Sequence, residues 1–115
     1  MPSEPCVSVI MAVRNGEKHL PEAIESMLGQ TLNDFEFLIV DDCSNDATPD
    51  ILQGYAGKDQ RIRILRNETN IGPYPSANRA LEVAKGPLIA RIDGDDVSTP
   101  ERLEKQADFL NANPD

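Results

Sequence analysis

The chain has 115 residues, enough for one small domain or part of a larger one. Eleven Lys and Arg stand against twenty Asp and Glu, and a formal net charge of −9 argues against nucleic acid and anionic membrane surfaces as partners. Hydrophobic residues make up 39%, which suits a packed core, yet no apolar run approaches the ~20 residues that span a bilayer.

Val7 to Val13 is a β-branched apolar run that predicts a first strand, broken by Arg14-Asn15-Gly16. Leu20, Ala23, Ile24, Met27 and Leu28 then recur at helical spacing, with Pro21 suited to a first turn and Gly29 to a stop. His19, the only histidine, falls at this helix start and reads as a surface residue. Phe35 to Val40 predicts a second strand, and Asp41 to Asp46 a polar loop after it. Thr48 fits an N-cap with Pro49 at the first helical position. Ile51, Leu52 and Tyr55 give that helix its apolar face, and Gly57 its end. Arg61 to Leu65 alternates and predicts a third strand with one polar face. A loop over Asn67 to Tyr74 follows, then a third helix marked by Ala77, Ala80, Leu81 and Ala84 and stopped at Gly86. Leu88 to Ile92 reads as a buried fourth strand. Thr99-Pro100 opens a fourth helix, with Leu103, Ala107 and Leu110 inward.

Strands alternating with helices predict an α/β, Rossmann-like fold: a mainly parallel sheet with helices on both faces. Ligands of such sheets bind beyond the carboxyl ends of the strands. Arg14-Asn15, Asp41-Asp42, Arg66-Asn67 and Asp93 to Asp96 all follow strands. The last group is the most informative, because Asp93, Asp95 and Asp96 end an apolar run abruptly. Carboxylates so close repel one another unless a cation lies among them. Oxygen-only ligands favour Mg2+ or Mn2+ over zinc. Gly94 lets a ligand approach the backbone.

The bland reading of Asp93-Gly-Asp95 is a solvated turn. Asp42, Asn45 and Asp46 read as an Asx-turn and helix caps. Asp41 stands at the strand end itself, where a carboxylate can accept from a nucleobase N–H or a ribose hydroxyl. Arg14, Arg66, Arg79 and Arg91 are cations that can offset phosphate charge. One histidine builds no Ser-His-Asp or Cys-His arrangement. Cys6 and Cys43 have neither the number nor the spacing of a disulfide framework or zinc site, and read as reduced thiols. The N-terminus lacks a signal-peptide pattern, so the expected location is cytoplasmic.

The ordered set Val7 to Asn15, Ser26 to Thr31, Phe35 to Asp46, Asn70 to Gly72, Ala77-Asn78, Ala84 to Gly86 and Ile92 to Asp96 resembles the family 2 glycosyltransferases. The resemblance runs from about Val7 to about Leu110 and implies the GT-A nucleotide-sugar-binding fold. It implies a nucleotide-sugar donor, UDP-sugar before GDP-sugar, bound with Mn2+ or Mg2+. By the same resemblance Ala12, Val13 and Arg14 line the nucleoside pocket and Asp41 meets the base. Asp93 lies near the ribose or metal, Asp95 is the principal metal ligand, and Asn78 and Gly94 belong to the donor site. The reaction implied is inverting transfer to a hydroxyl of a carbohydrate or lipid-linked acceptor, in polysaccharide or cell-envelope synthesis. It is expected in the cytoplasm or at the cytoplasmic face of the membrane.

Three departures stand out. Arg14 replaces a frequent aromatic residue, Ala77 replaces a basic one before Asn78, and the acceptor half with its general base would lie beyond Asp115. Residues 1–115 therefore read as a donor-binding half, expected to be inactive alone and able to pair with a second copy through exposed strands. A haloacid-dehalogenase-type phosphatase would carry its paired Asp after the first strand. A receiver domain would cluster acids after the first strand and carry its phosphorylated Asp after the third. A sugar-nucleotide pyrophosphorylase would show a Gly-rich basic loop after the first strand. A non-catalytic nucleotide-sugar-binding or interaction module is the alternative from another class.

Overall fold

Parallel strands need crossovers, and each crossover here carries a helix. The computed structural model describes residues 5–112. In chain order it contains β1 (Val7–Val13), α1 (Leu20–Leu28), β2 (Phe35–Asp41), α2 (Thr48–Lys58), β3 (Ile62–Arg66), α3 (Pro73–Val83), β4 (Leu88–Asp93) and α4 (Arg102–Ala112). The sheet order is β3-β2-β1-β4, and every pair is parallel. The expected α/β fold with a parallel sheet is thus present.

The two central strands read as near-continuous apolar runs because both their faces are covered. The first two crossovers step outward from β1 to β3, and the third returns past β1 to β4. Right-handed connections then place α3 on the face opposite α1 and α2. The buried clusters follow this division. Val9, Met11, Phe37 and Ile39 pack with Leu20, Ile24 and Met27 of α1, Leu52 of α2 and Leu103 of α4. Ile10, Leu38 and Val40 pack with Ala77 and Ala80 of α3. Reversal of strand order opens a crevice between the carboxyl ends of β1 and β4, where Ala12 is in register with Asp93.

Several local expectations are corrected. Leu88 to Ile92 is not a buried strand but an edge, with Arg91 exposed and Ile89 at 42% exposure. Leu81 is likewise exposed, because α3 needs only its narrow Ala77–Ala80 side against the sheet. Thr48 is the first residue of α2 and Ala47 its N-cap. The Thr48 hydroxyl is taken by the Gly16 N–H (2.9 Å), and Asp46 Oδ1 accepts the Thr48 N–H instead. α2 runs through Gly57 to Lys58.

α3 ends at Val83 rather than at Gly86. Gly86 serves packing: a Cβ there would lie 2.7 Å from the Ser8 nitrogen. α4 begins at Arg102: the Thr99 carbonyl accepts from Gln30 Nε2 and closes only a short turn with the Arg102 N–H, and the Pro100 carbonyl accepts the Thr31 N–H. Leu103 and Ala107 are buried as expected, while the side chain of Leu110 lies outside the described residues. Among the described residues no helix is long and apolar enough to cross a membrane.

Candidate functional site

The acidic segment forms a turn off the end of β4. The Asp96 N–H donates to the Asp93 carbonyl at 3.1 Å, and Asp96 Oδ2 accepts the Asp93 N–H at 3.0 Å. This turn gathers Asp93, Asp95 and Asp96 so that one carboxylate oxygen from each lies within 4.8 Å of the others. Asp93 and Asp95 are exposed and Asp96 is half-buried. Three hard oxygen donors so close fit Mg2+ or Mn2+. Asp96 has committed one oxygen to the turn, which leaves Asp93 and Asp95 the freer pair.

Facing this turn is the loop after β1, which is stitched to the loop after β2. Asn15 adopts φ 51° and Cys43 φ 59°, left-handed values that let both loops fold back at once. The Asn15 N–H donates to Ser44 Oγ and the Gly16 N–H to Thr48 Oγ1, both at 2.9 Å. Asn15 Oδ1 accepts the Asn45 N–H at 2.9 Å, and Glu17 Oε2 accepts the Ala47 N–H at 3.2 Å. Val13 joins the two sides of the crevice. Its Cγ2 would lie 2.7 Å from a Cβ on Gly16 and 2.9 Å from one on Gly94. Both glycines therefore press on one buried valine, and this draws the loop and the acidic turn together. Between them lies a hollow of about 290 Å³ lined by Ala12 to Gly16, His19, Gly94 and Asp95.

A second hollow, of about 260 Å³, shares Ala12, Val13 and Arg14 and is completed by Asp42, Asn70, Gly72 and Pro73. Asp42 is buried and holds the loop before α3. Its Oδ1 accepts from Asn67 Nδ2 (3.0 Å) and the Ile71 N–H (2.8 Å), and its Oδ2 from the Gly72 N–H (2.9 Å). Burial alone would raise the Asp42 pKa. The Ile71, Asn67 and Gly72 donors, with the Arg14 charge, outweigh it and hold the carboxyl below its ordinary value. Gly72 has φ 93°, which explains a glycine at the point where this loop turns into α3.

Of the residues expected in the site, Ala12, Val13, Arg14, Gly94 and Asp95 meet around the first hollow, with Asp93 beside them in the acidic turn. Asp41 and Asn78 line neither hollow. Asp41 is buried, its Oδ1 accepting the Ser44 N–H at 3.0 Å and its Oδ2 paired with Arg66 at 2.7 Å. Asn78 is exposed on α3, one turn after Tyr74, whose ring lies 5.2 Å from the Arg91 guanidinium. Asp42, Asn70 and His19 were not among the expected site residues. Strand parity was the available signal for Asp42: Phe37, Ile39 and Asp41 share the α1 side of the sheet, whereas Leu38, Val40 and Asp42 share the α3 side. Nothing local in the sequence marks His19, which the turn after Gly16 carries back over the end of β1.

Comparison with known proteins bears on the family and the fold. The family model described as glycosyl transferase family 2 matches residues 8–115. An uncharacterized glycosyltransferase of Methanocaldococcus jannaschii is 45% identical over 114 residues, covering 97% of this chain and 39% of the relative. TuaG of Bacillus subtilis, named for teichuronic acid biosynthesis, is 41% identical over 107 residues, covering 93% of this chain and 42% of its own length. The chain therefore spans about two-fifths of these curated relatives. The structure of S. aureus TarS 1-349 in complex with UDP superposes with a TM-score of 0.85 at 35% identity, covering 92% of this chain and 32% of TarS 1-349. TarS 1-349 is also known with UDP-GlcNAc. With its parallel GT-A sheet and its match to the family model along almost its whole length, the chain belongs to the family 2 glycosyltransferases.

Proposed function

We propose that this chain is the donor-binding part of a glycosyltransferase and takes a nucleoside diphosphate sugar, UDP-sugar first, together with Mn2+ or Mg2+. The observation that carries the reading is the carboxylate triplet at the β1–β4 switch point, set against two hollows that share Arg14. Asp95 and Asp93 would hold the cation, which supplies Lewis-acid stabilisation of the departing diphosphate. The nucleoside occupies the hollow of Ala12, Val13, Arg14, Asp42 and Asn70. Asp42 uses three of a carboxylate's roughly four acceptor positions on the protein, leaving one for a base N–H such as that of uracil. In this assignment Asp42 takes the base contact expected of Asp41, while Asp41 holds Arg66 and the loop after β2. UDP in the TarS complex supports the choice of nucleotide. Arg14, standing between the hollows, neutralises phosphate charge.

The reaction is inverting transfer: an acceptor hydroxyl, deprotonated by a general base, attacks the anomeric carbon as the diphosphate leaves. Asp95 would hold the cation and Asp42 is committed to the loop, so neither carboxylate in the two hollows is free to serve as that base. The acceptor is a carbohydrate or lipid-linked glycan of polysaccharide or envelope synthesis, a class that the teichuronic acid biosynthesis in the TuaG name supports, and the reaction is placed in the cytoplasm or at the cytoplasmic face of the membrane.

Titration calorimetry with UDP, with and without Mn2+, tests the donor site. Binding should require the metal and weaken at least tenfold in Asp95→Ala, by loss of a charged ligand to the cation. UDP binding indifferent to both the metal and the substitution would overturn the assignment.

A further inference from the structure

His19 was read from the sequence as a plain surface residue, yet it lines the same hollow as Asp95. Resting on the donor-binding reading above, we propose that His19 is a diphosphate-contact residue. Its imidazole donates a hydrogen bond to a β-phosphate oxygen of the bound nucleotide, from the wall of the hollow formed by the β1–α1 loop.

The loop geometry sets this position. The His19 and Leu20 N–H groups both turn back onto the Gly16 carbonyl, at 3.1 and 2.9 Å. Gly16 is itself pressed against Val13, so the turn cannot lift away from the strand end without losing that contact. The same valine is the surface on which Gly94 seats the acidic turn. The turn therefore holds the His19 backbone at the wall of the hollow that Asp95 also lines. Its side chain is exposed and has no hydrogen-bond or ion-pair partner among the described residues.

The chemistry of the hollow calls for such a donor. A diphosphate brings more negative oxygens than one cation neutralises, into a chain whose net charge is −9. Among the described residues, Arg14 and His19 are the basic side chains that line this hollow. Arg14 is shared with the nucleoside hollow and already acts on Asp42. It therefore sits at the α-phosphate, between the two. His19 belongs to the Asp95 hollow alone, at the far end of the diphosphate from the base.

UDP and UMP differ by the β-phosphate and so isolate the contact. Calorimetry on the whole chain at saturating Mn2+ should show His19→Ala weakening UDP about tenfold while changing UMP less than about twofold. His19→Gln, which keeps a side-chain N–H, should restore most of the loss. A merely structural role would weaken both nucleotides equally, and that result overturns the proposal. So does a variant that binds UDP like wild type, or one that loses affinity only for UDP-sugar, which would place His19 on the hexose. If the wild-type chain fails to bind UDP at all, the donor reading itself falls. If wild type binds, Asp95→Ala does not, and His19→Ala binds unchanged, only the His19 contact falls.

Discussion

Gly94→Ala puts a methyl group 2.9 Å from Val13 Cγ2 and 3.4 Å from its Cβ. Val13 is buried and β-branched, so it has no alternative rotamer that clears the space without disturbing its neighbours. Overpacking of this kind costs about 1–3 kcal/mol. Gly94 does not have positive φ, so alanine can adopt its backbone conformation and recovers about 0.4–1 kcal/mol through the unfolded chain. The expected net loss is about 1–2 kcal/mol. Val13→Ala alone should cost about 2 kcal/mol, from two buried methyl groups and the space they leave. In the double variant the new methyl occupies space the valine has vacated, so the combined loss should fall below the sum by at least 1 kcal/mol. Urea unfolding followed by circular dichroism, with unchanged m-values, measures all three. Mn2+-dependent UDP binding should weaken in Gly94→Ala, because the methyl lifts Asp93 and Asp95 away from β1, and should recover in part in the double variant. Strictly additive stabilities, within about 0.5 kcal/mol, would refute the idea that Val13 couples the acidic turn to the β1–α1 loop.

Two further outcomes follow from the hydrogen bonds. Asp42→Asn keeps an oxygen for Asn67 and Ile71 but sets an amide N–H2 against the Gly72 N–H. The expected loss is about 1.5–3 kcal/mol at neutral pH by denaturant unfolding. Because the Asp42 carboxyl is held below its ordinary value, its contribution is present above about pH 4 and is lost as pH falls through the folded-state pKa. The variant should lose less stability than wild type below pH 4, and parallel losses would show that Asp42 is not the group responsible. Tyr55 donates to Glu25 Oε2 at 2.6 Å, and that bond, burial and the Glu25 charge push its phenol up to about 12. Phenolate absorbance in a Tyr74→Phe background should show this titration, and Glu25→Gln should bring it back toward 10. The raised value means that this contribution is intact below about pH 10 and is lost as pH rises toward 12. A Tyr55 that titrates near 10 in the Glu25 background would remove the bond from the account.

What could be read from the sequence was whatever rests on short-range pattern. Val7–Val13 and Phe35–Val40 are near-continuous apolar runs, so their being strands was visible in composition alone, while their place at the centre of the sheet comes from strand order. The carboxylate triplet was visible for the same reason: Asp93, Asp95 and Asp96 are adjacent in sequence and one turn suffices to gather them. Reading failed where long-range contacts decide the outcome. Leu88–Ile92 has the composition of a buried strand, yet strand order makes it an edge. Thr48 has the character of a cap, yet its hydroxyl is claimed by Gly16 from another loop. Asp41 and Asp42 are chemically alike, and only the side of the sheet separates an ion pair with Arg66 from the lining of the second hollow. His19 comes to line the first hollow through the turn after Gly16, which no local pattern records.

The strand order also determines when the site comes into being during folding. β1, β2 and β3 can assemble through two short crossovers, whereas β4 must return across the chain to reach β1, at a larger loop-closure cost. The acidic turn meets the β1–α1 loop only when that last strand docks. Among the described residues β4 pairs with β1 alone, so its docking rests on that one ladder. On the proposed donor reading, a nucleotide bridging Arg14 and the acidic turn would bind the docked form alone. Its apparent affinity would then be scaled by the fraction of molecules with β4 in place, and its binding would stabilise that strand in return.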